Sequence, residues 1–172
     1  QVGSASVAGV ESHAVSVEVN ISVGLPSFVV VGLPHRAVRE GRERVTATLS
    51  DVRHRASSRR ITVNLAPADV PKEGSAFDLS IAVAILIGMG VVPQERVEGV
   101  CLVRRLDLDG RLRPIRGALP IAAGCQARGG AKLLLARANA REAAAVEGME
   151  ALGAETLQEV LAHLSGRSPI WA

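Results

Sequence analysis

Lys72 and Ser75 are the residues whose type and spacing could do covalent chemistry. They lie in the segment PADVPKEGSAFDLS, residues 67–80, directly before an apolar run. A lysine that loses its charge on desolvation can serve as the base for a serine hydroxyl, so a hydrolase pair is one interpretation. The other is structural: Ser75 is a suitable helix N-cap, and Asp78 in the first turn would suit the helix dipole. Because it needs no desolvated lysine, the structural interpretation is the simpler one, and it predicts a buried helix over 76–90.

An arginine cluster between positions 36 and 60 is the second chemical feature. It holds eight arginines against three acids, Glu40, Glu43 and Asp51. Such a concentration of guanidinium groups could contact the phosphates of a nucleic acid. The alternative is a solvated helix face with intrahelical pairs such as Glu40–Arg44. The candidate nucleic-acid contacts are Arg36, Arg39, Arg42, Arg53, Arg55, Arg59 and Arg60.

The motifs do not indicate nucleotide binding by a P-loop, a metal site or acid–base catalysis. The sequence contains no G-x-x-x-x-G-K-[ST] segment, so it carries no P-loop for a nucleotide. Cys101 and Cys125 form no CxxC pair and predict reduced thiols of a cytoplasmic protein. The four histidines are scattered singly, so no metal site is predicted. Asp107 and Asp109 flank a tight turn, which explains Asp109 better than acid–base catalysis does.

The composition predicts one ordinary domain. The chain has 172 residues, 48% of them hydrophobic, which is enough for a core. Aromatic residues make up only 2%, which disfavours a stacking platform for bases, and the net charge is only +3. The longest apolar run, residues 81–92, is too short to span a bilayer, and no secretion signal opens the chain. We therefore expect a cytoplasmic location and no membrane partner.

Hydrophobic periodicity predicts a mixed sheet packed against helices. Strict alternation over 13–22 indicates a half-buried strand paired with 4–10. The apolar run 27–31 predicts a central strand, and Asp109-Gly110 predicts a hairpin. Asn139 is a candidate N-cap for a helix to residue 147. The remaining expected elements are a helix from Pro34 that turns Arg39, Arg42 and Arg53 outward, strands at 61–65, 99–108 and 131–136, a helix ending at 128, and a helix at 156–164. The predicted fold class is α/β (α+β).

Three long segments resemble a known family. GLPSFVVVGLPHRAVREGRERV, RRITVNLAPADVPKEGSAFDL and LDGRLRPIRGALP, in this order, resemble the N-terminal domain of the magnesium-chelatase-like AAA+ proteins, the family of competence protein ComM. The resemblance covers residues 4–166. Arg104 and Arg105 stand where the family commonly has Gly-Glu, and Gly41 stands where it commonly has serine. These departures affect local surface chemistry and leave the match intact.

That family domain is in turn similar in fold to the proteolytic domain of Lon. An ungapped match to Lon's nucleophile motif places the nucleophile position at Ala76, and a match to its lysine motif places the base at Leu119. The resemblance therefore implies a degenerate protease-like site without a catalytic residue, since no lysine stands on the later helix to activate Ser75. The residues of this vestigial site are Lys72, Ser75, Ala76 and Leu119.

The resemblance also implies a role and partners. Residues 1–166 would form a non-enzymatic front domain and 167–172 the start of a linker to an AAA+ domain, which would hold ATP and Mg²⁺. The parent protein would be a hexameric helicase that acts on single-stranded or branched DNA in branch migration and natural transformation. This domain would itself bind no cofactor. It would engage DNA, or alternatively only its own AAA+ domain and neighbouring subunits; a residual serine hydrolase is the weakest alternative.

Overall fold

The computed structural model describes residues 1–33, 35–49, 59–70, 72 and 76–170, without the side chains of His35 and Val38. Within these residues, seven strands form one mixed sheet in the order β3-β4-β2-β1-β5-β8-β9, and β6 and β7 form a separate hairpin. The strands are β1 (Val2–Ala8), β2 (Glu11–Val23), β3 (Ser27–Val31), β4 (Arg59–Ala66), β5 (Val100–Leu102), β6 (Arg105–Leu106), β7 (Leu112–Arg113), β8 (Lys132–Ala136) and β9 (Glu150–Ala154). The predicted fold class is confirmed.

Five α-helices accompany the strands in the described part of the chain. They are α1 (His35–Thr48), α2 (Asp78–Gly88), α3 (Ala118–Ala127), α4 (Arg137–Ala143) and α5 (Leu157–Leu164), with a short 3₁₀ turn at Gln94–Val97. None of the helices in these residues is long and apolar enough to cross a membrane.

The alternating strand β2 is the centre of the fold. It pairs antiparallel with β1 on one side, as predicted, and with β4 on the other. Val15 and Val17 are buried together with Val63 and Leu65 of β4 in the larger hydrophobic core. Side chains of a strand alternate between the two faces of a sheet, so these residues define the inner face.

Helices cover both faces of the sheet's middle. The buried helix α2 contributes residues 79–86 to the larger core, in which α1 and α5 also take part. A second core contains Ala5, Leu133 and Leu135 of the sheet together with Ile121 and Ala122 of α3. Leu134, between the two leucines, belongs to the first core, so β8 is buried on both faces. This three-layer arrangement explains the continuous apolar sequence of β8.

The strand β3 lies at the edge of the sheet, so the prediction of a central strand is wrong. It pairs only with β4 in the described sheet, in parallel. Phe28 and Val30 pack against the larger core, whereas Val29 and Val31 are 47% and 52% exposed. A continuous apolar run predicts a central strand, but the run alone cannot show which neighbours the strand acquires in the sheet.

One turn prediction is confirmed, and one helix-cap prediction is wrong. The hairpin is confirmed: Gly110 has φ 81°, and Asp109 Oδ1 accepts a hydrogen bond from Arg111 N at 3.0 Å. Asn139 is not an N-cap, because α4 begins at Arg137 with Ala136 as its N-cap. The Asn139 side chain instead bonds both the N–H and the C=O of Ile115, at 2.9 and 3.0 Å.

Candidate functional site

The protease-like region around Ala76 is apolar. Helix α2 begins at Asp78 with Phe77 as its N-cap, so the prediction of Ser75 as N-cap is wrong; Ser75 itself lies outside the described residues. Ala76 packs against the second core, which includes Val103 and Ala118. Ala76 and Ala118, the residue before Leu119, thus belong to the same apolar region. Ala76 and Leu119 themselves both carry hydrocarbon side chains.

Lys72 is engaged by backbone carbonyl groups. Its Nζ donates hydrogen bonds to the backbone oxygens of Pro67 and Val70, the latter at 3.3 Å. Leu119 is 45% exposed, and its backbone N–H donates to Glu142 Oε1 at 3.0 Å. Hydrogen bonds from Nζ to two carbonyls compete with any use of this lysine as a base.

A buried ion pair holds α1 against the start of α2. Arg44 Nε and Nη2 donate to the two oxygens of Asp78 at 2.6 and 3.1 Å, and the N–H of Leu106 also donates to Oδ2, at 3.1 Å. Burial raises the pKa of Asp78, and the hydrogen bond from Arg44 counteracts this shift. A Cβ at Gly41 would lie 3.2 Å from Asp78 Oδ1, which gives the glycine at this position a packing reason.

Arg104 is the most unusual charged residue of the site region. Its backbone N–H donates to Ala76 O at 2.8 Å, and its C=O accepts from Leu79 N at 3.1 Å, so it sits beside the start of α2. The side chain is 0% exposed, and among the described residues none hydrogen-bonds its guanidinium nitrogens. Burial lowers the pKa of Arg104 to about 9. The predicted change in surface chemistry at this position is therefore wrong: Arg104 is internal, and only Arg105 is exposed.

The arginine cluster is partly exposed and mostly unpaired. Arg36 pairs with Glu40 at 3.4 Å on the surface of α1, so Glu40 pairs one turn back instead of with Arg44. Arg39, Arg42, Arg59 and Arg60 are exposed, and within the described residues no ion pair involves them. Arg53 and Arg55 lie outside the described residues.

Two members of the cluster lie on or over the β3–β4 pair. The Arg42 guanidinium lies 6.0 Å from the centre of the Phe28 ring, and Phe28 is in register with Ile61 of β4. Arg59 has the same parity as Ile61 and therefore belongs to the face covered by α1, whereas Arg60 belongs to the opposite face. We call Arg36, Arg39, Arg42 and Arg59 the arginine surface.

A cleft lined by both acidic and basic residues borders α1. It has a volume of about 590 Å³ and is lined by Glu40, Glu43 and Arg44 of α1 and by Arg105, Asp107, Leu108 and Asp109 of the β6–β7 hairpin region. Asp107 of the hairpin is bonded to Arg113 at 2.6 Å. No group of three or more His, Cys, Asp or Glu side chains in the described residues could hold a metal ion.

Two features of this region were not predicted from the sequence. The Arg44–Asp78 pair joins residues far apart in the chain, and the local helix pattern suggested a pair with Glu40 instead. The burial of Arg104 also has no local signal except its position between apolar Val103 and Leu106.

Comparisons with known proteins found a matching family model and several similar proteins. The family model described as subunit ChlI of Mg-chelatase matches residues 17–139. Competence protein ComM of Haemophilus influenzae is 38% identical over 162 residues, which cover 94% of this chain and 32% of that protein. YifB of Escherichia coli is 38% identical over 159 residues, 92% of this chain and 31% of YifB. An uncharacterized protein of Mycobacterium tuberculosis is 36% identical over 163 residues, 95% of this chain and 32% of the relative. The chain thus spans about a third of the length of these relatives.

Proposed function

The chain belongs to the family of subunit ChlI of Mg-chelatase, and we propose that it is the N-terminal accessory domain of a ComM-like AAA+ ATPase that contacts DNA. The observation that supports DNA contact best is the arginine surface. Its members Arg39, Arg42 and Arg59 are exposed and have no acidic partner in the described residues. Unpaired arginines can neutralise phosphates and release counterions, which gives binding with little sequence preference.

The domain itself is proposed to be non-catalytic. Support comes from Ala76 and Leu119 at the positions of the protease pair and from the carbonyl contacts of Lys72. The sequence has no P-loop with which to cradle the phosphates of ATP. We therefore propose that ATP and Mg²⁺ are held by a separate AAA+ domain. The name of the Haemophilus relative supports a role in competence, and DNA branch migration by a cytoplasmic ring is the activity to which this domain would contribute.

Direct measurement of DNA affinity tests this proposal. Fluorescence anisotropy with labelled single-stranded and forked DNA should give salt-sensitive binding by the 172-residue chain. The variant R39Q/R42Q/R59Q should bind about tenfold or more weakly, because three phosphate contacts are lost. The matched control is R96Q/R116Q/R141Q, which removes the same charge from exposed arginines elsewhere and should retain most of the affinity. Equal losses in the two variants would show that only net charge matters and would contradict the assignment of the surface.

A second candidate function is subunit contact through the edge strand β3. Val29 and Val31 on β3, with Val23 and Leu25 just before it, are between 47% and 83% exposed, and an edge strand presents unpaired backbone groups. The proposed occupant is the neighbouring subunit of the same ring. Val29→Lys should then weaken assembly of the full-length protein, measured by analytical ultracentrifugation, and leave DNA binding of the 172-residue chain unchanged. Unchanged assembly would exclude this candidate.

A further inference from the structure

The two cysteines meet at a cleft on the side of the sheet covered by α3. Cys101 lies in the middle of β5, and Cys125 lies in the last turn of α3. Both line a cleft of about 940 Å³ that is bordered mainly by sheet residues and residues 94–99, and by Cys125 and Arg128 at the C-terminal end of α3. Cys101 is partly exposed and Cys125 is 5% exposed, so the cleft is the route by which a small molecule would reach their sulfurs. Neither the motif pattern nor the spacing in the sequence predicted this meeting.

The sulfurs interact with each other and with a fixed arginine. The side chains of Cys101 and Cys125 line the same cleft and interact with one another. Arg128 Nη2 lies 3.8 Å from Cys125 Sγ. Ser12 holds this guanidinium in place, since its backbone oxygen accepts from Nη1 at 2.9 Å and its Oγ accepts from Nη2 at 3.3 Å.

The environment distinguishes the two thiols. The hydrogen bond from Cys101 and the charge of Arg128 lower the pKa of Cys125 to about 7, against the effect of burial. The hydrogen bond to Cys125 and burial raise the pKa of Cys101 well above its usual value. Arg128 is the charged group of the described residues that acts on both sulfurs. Cys125 is therefore the more acidic thiol of the pair, and its thiolate is the better candidate nucleophile.

We propose that Cys101 and Cys125 form a thiol–disulfide exchange site for small organic disulfides. The Cys125 thiolate attacks one sulfur of the disulfide, the S–S bond breaks, and one thiolate leaves as a mixed disulfide forms on Cys125. The leaving thiolate takes the proton of Cys101. The Cys101 sulfur then attacks Cys125 and expels the second thiolate, which takes up the proton that Cys125 lost on ionisation. Two protein thiols are oxidised, one disulfide is reduced to two thiols, and β5 becomes covalently joined to α3.

Glutathione disulfide is the probe that tests this site. The reduced 172-residue chain is incubated with it at neutral pH, and the products are followed by intact mass and peptide mapping. The expected product is an intramolecular Cys101–Cys125 disulfide. Cys101→Ser should stop at a glutathione adduct on Cys125, because the second sulfur is missing. Cys125→Ser should give at least tenfold slower adduct formation, since the remaining thiol is protonated at this pH.

Arg128→Gln separates the electrostatic effect from simple access. It should slow adduct formation on Cys125 several-fold at neutral pH, and the difference should narrow at alkaline pH, where the thiolate forms in either protein. Any of three results from the unsubstituted chain would overturn the proposal. Cys101 could be modified before Cys125, both cysteines could be modified only at the rate of global unfolding, or the mixed disulfide on Cys125 could fail to close to Cys101.

Discussion

Arg44 and Asp78 show how far a charged residue in this domain depends on its surroundings. Their bidentate contact is buried, with side-chain exposures of 9% and 1%, whereas the Arg36–Glu40 pair on the same helix has exposures of 93% and 52%. A buried carboxylate whose partner is removed keeps its desolvation cost without compensation. An exposed pair loses only a screened interaction.

Arg44→Met should therefore lower the free energy of unfolding by about 3–5 kcal/mol. Arg36→Met is the matched control and should change it by less than about 1 kcal/mol. Urea denaturation followed by circular dichroism measures both. Similar small changes in the two variants would contradict the role given to the buried pair.

Arg104 is a residue whose replacement should increase stability. Its buried guanidinium has no hydrogen-bond partner among the described residues, and leaving such a donor unsatisfied costs free energy. Arg104→Met fills similar space without a charge and should raise the free energy of unfolding by about 1–3 kcal/mol. Arg105→Met, at the exposed neighbouring position, should change it by less than about 0.5 kcal/mol. Destabilisation by Arg104→Met would mean that the guanidinium has an essential partner.

At this scale the sequence could not predict which charged residues are buried. The assignment of Ala76 and Leu119 to the protease-like positions depends on the alignment of long motifs and stays a prediction. The pairing of Arg44 could not be predicted, because local rules see only helix neighbours and its partner lies on another helix. The burial of Arg104 likewise depends on tertiary packing.

Helix α5 and the segment after it are linked by a titratable contact. His163 Nδ1 accepts a hydrogen bond from the backbone N–H of Ile170 at 2.9 Å. Burial lowers the pKa of His163, and the charge of Lys132 lowers it further. Protonation would remove the acceptor and place a charge in a partly buried position.

The free energy of unfolding should consequently decrease as the pH falls below about 6.5. The unfolded chain then binds a proton at His163 that the folded chain resists, so acid favours unfolding. His163→Asn keeps an acceptor but cannot titrate, and should remove this component. Urea titrations between about pH 7.5 and about pH 5 measure the difference between the two proteins. Parallel pH profiles would contradict this assignment.

Elements with strong local signals were predicted well. The alternation of β2 and the Asp109-Gly110 turn determine their structures locally, and both predictions are confirmed. The sequence did not predict the strand β9, because Glu150–Ala154 contains two alanines, a glycine and no β-branched residue. The edge position of β3 depends on pairing with β4, which follows α1 in the chain. Strand order is a property of the whole sheet and leaves little trace in a single segment.

Across the whole molecule, the proposed surfaces are built from different elements. The arginine surface and the cleft beside α1 both lie on the α1 side of the domain, where Arg36 of the surface pairs with Glu40 of the cleft. The cleft lined by Cys101 and Cys125 lies at the C-terminal end of α3, beside the pairing of β1 with β5. The proposed DNA contact and the proposed thiol chemistry can therefore be tested independently, because a substitution at one surface leaves the residues of the other in place.

The salt dependence of DNA binding tests the central proposal most directly. The dissociation constant of the 172-residue chain for forked DNA is measured over a series of salt concentrations, alongside R39Q/R42Q/R59Q. The slope of log affinity against log salt should become shallower by about 3 in the variant, about 1 for each phosphate contact removed. Identical slopes for the two proteins, or no salt-sensitive binding by the unsubstituted chain, would contradict DNA contact through this surface.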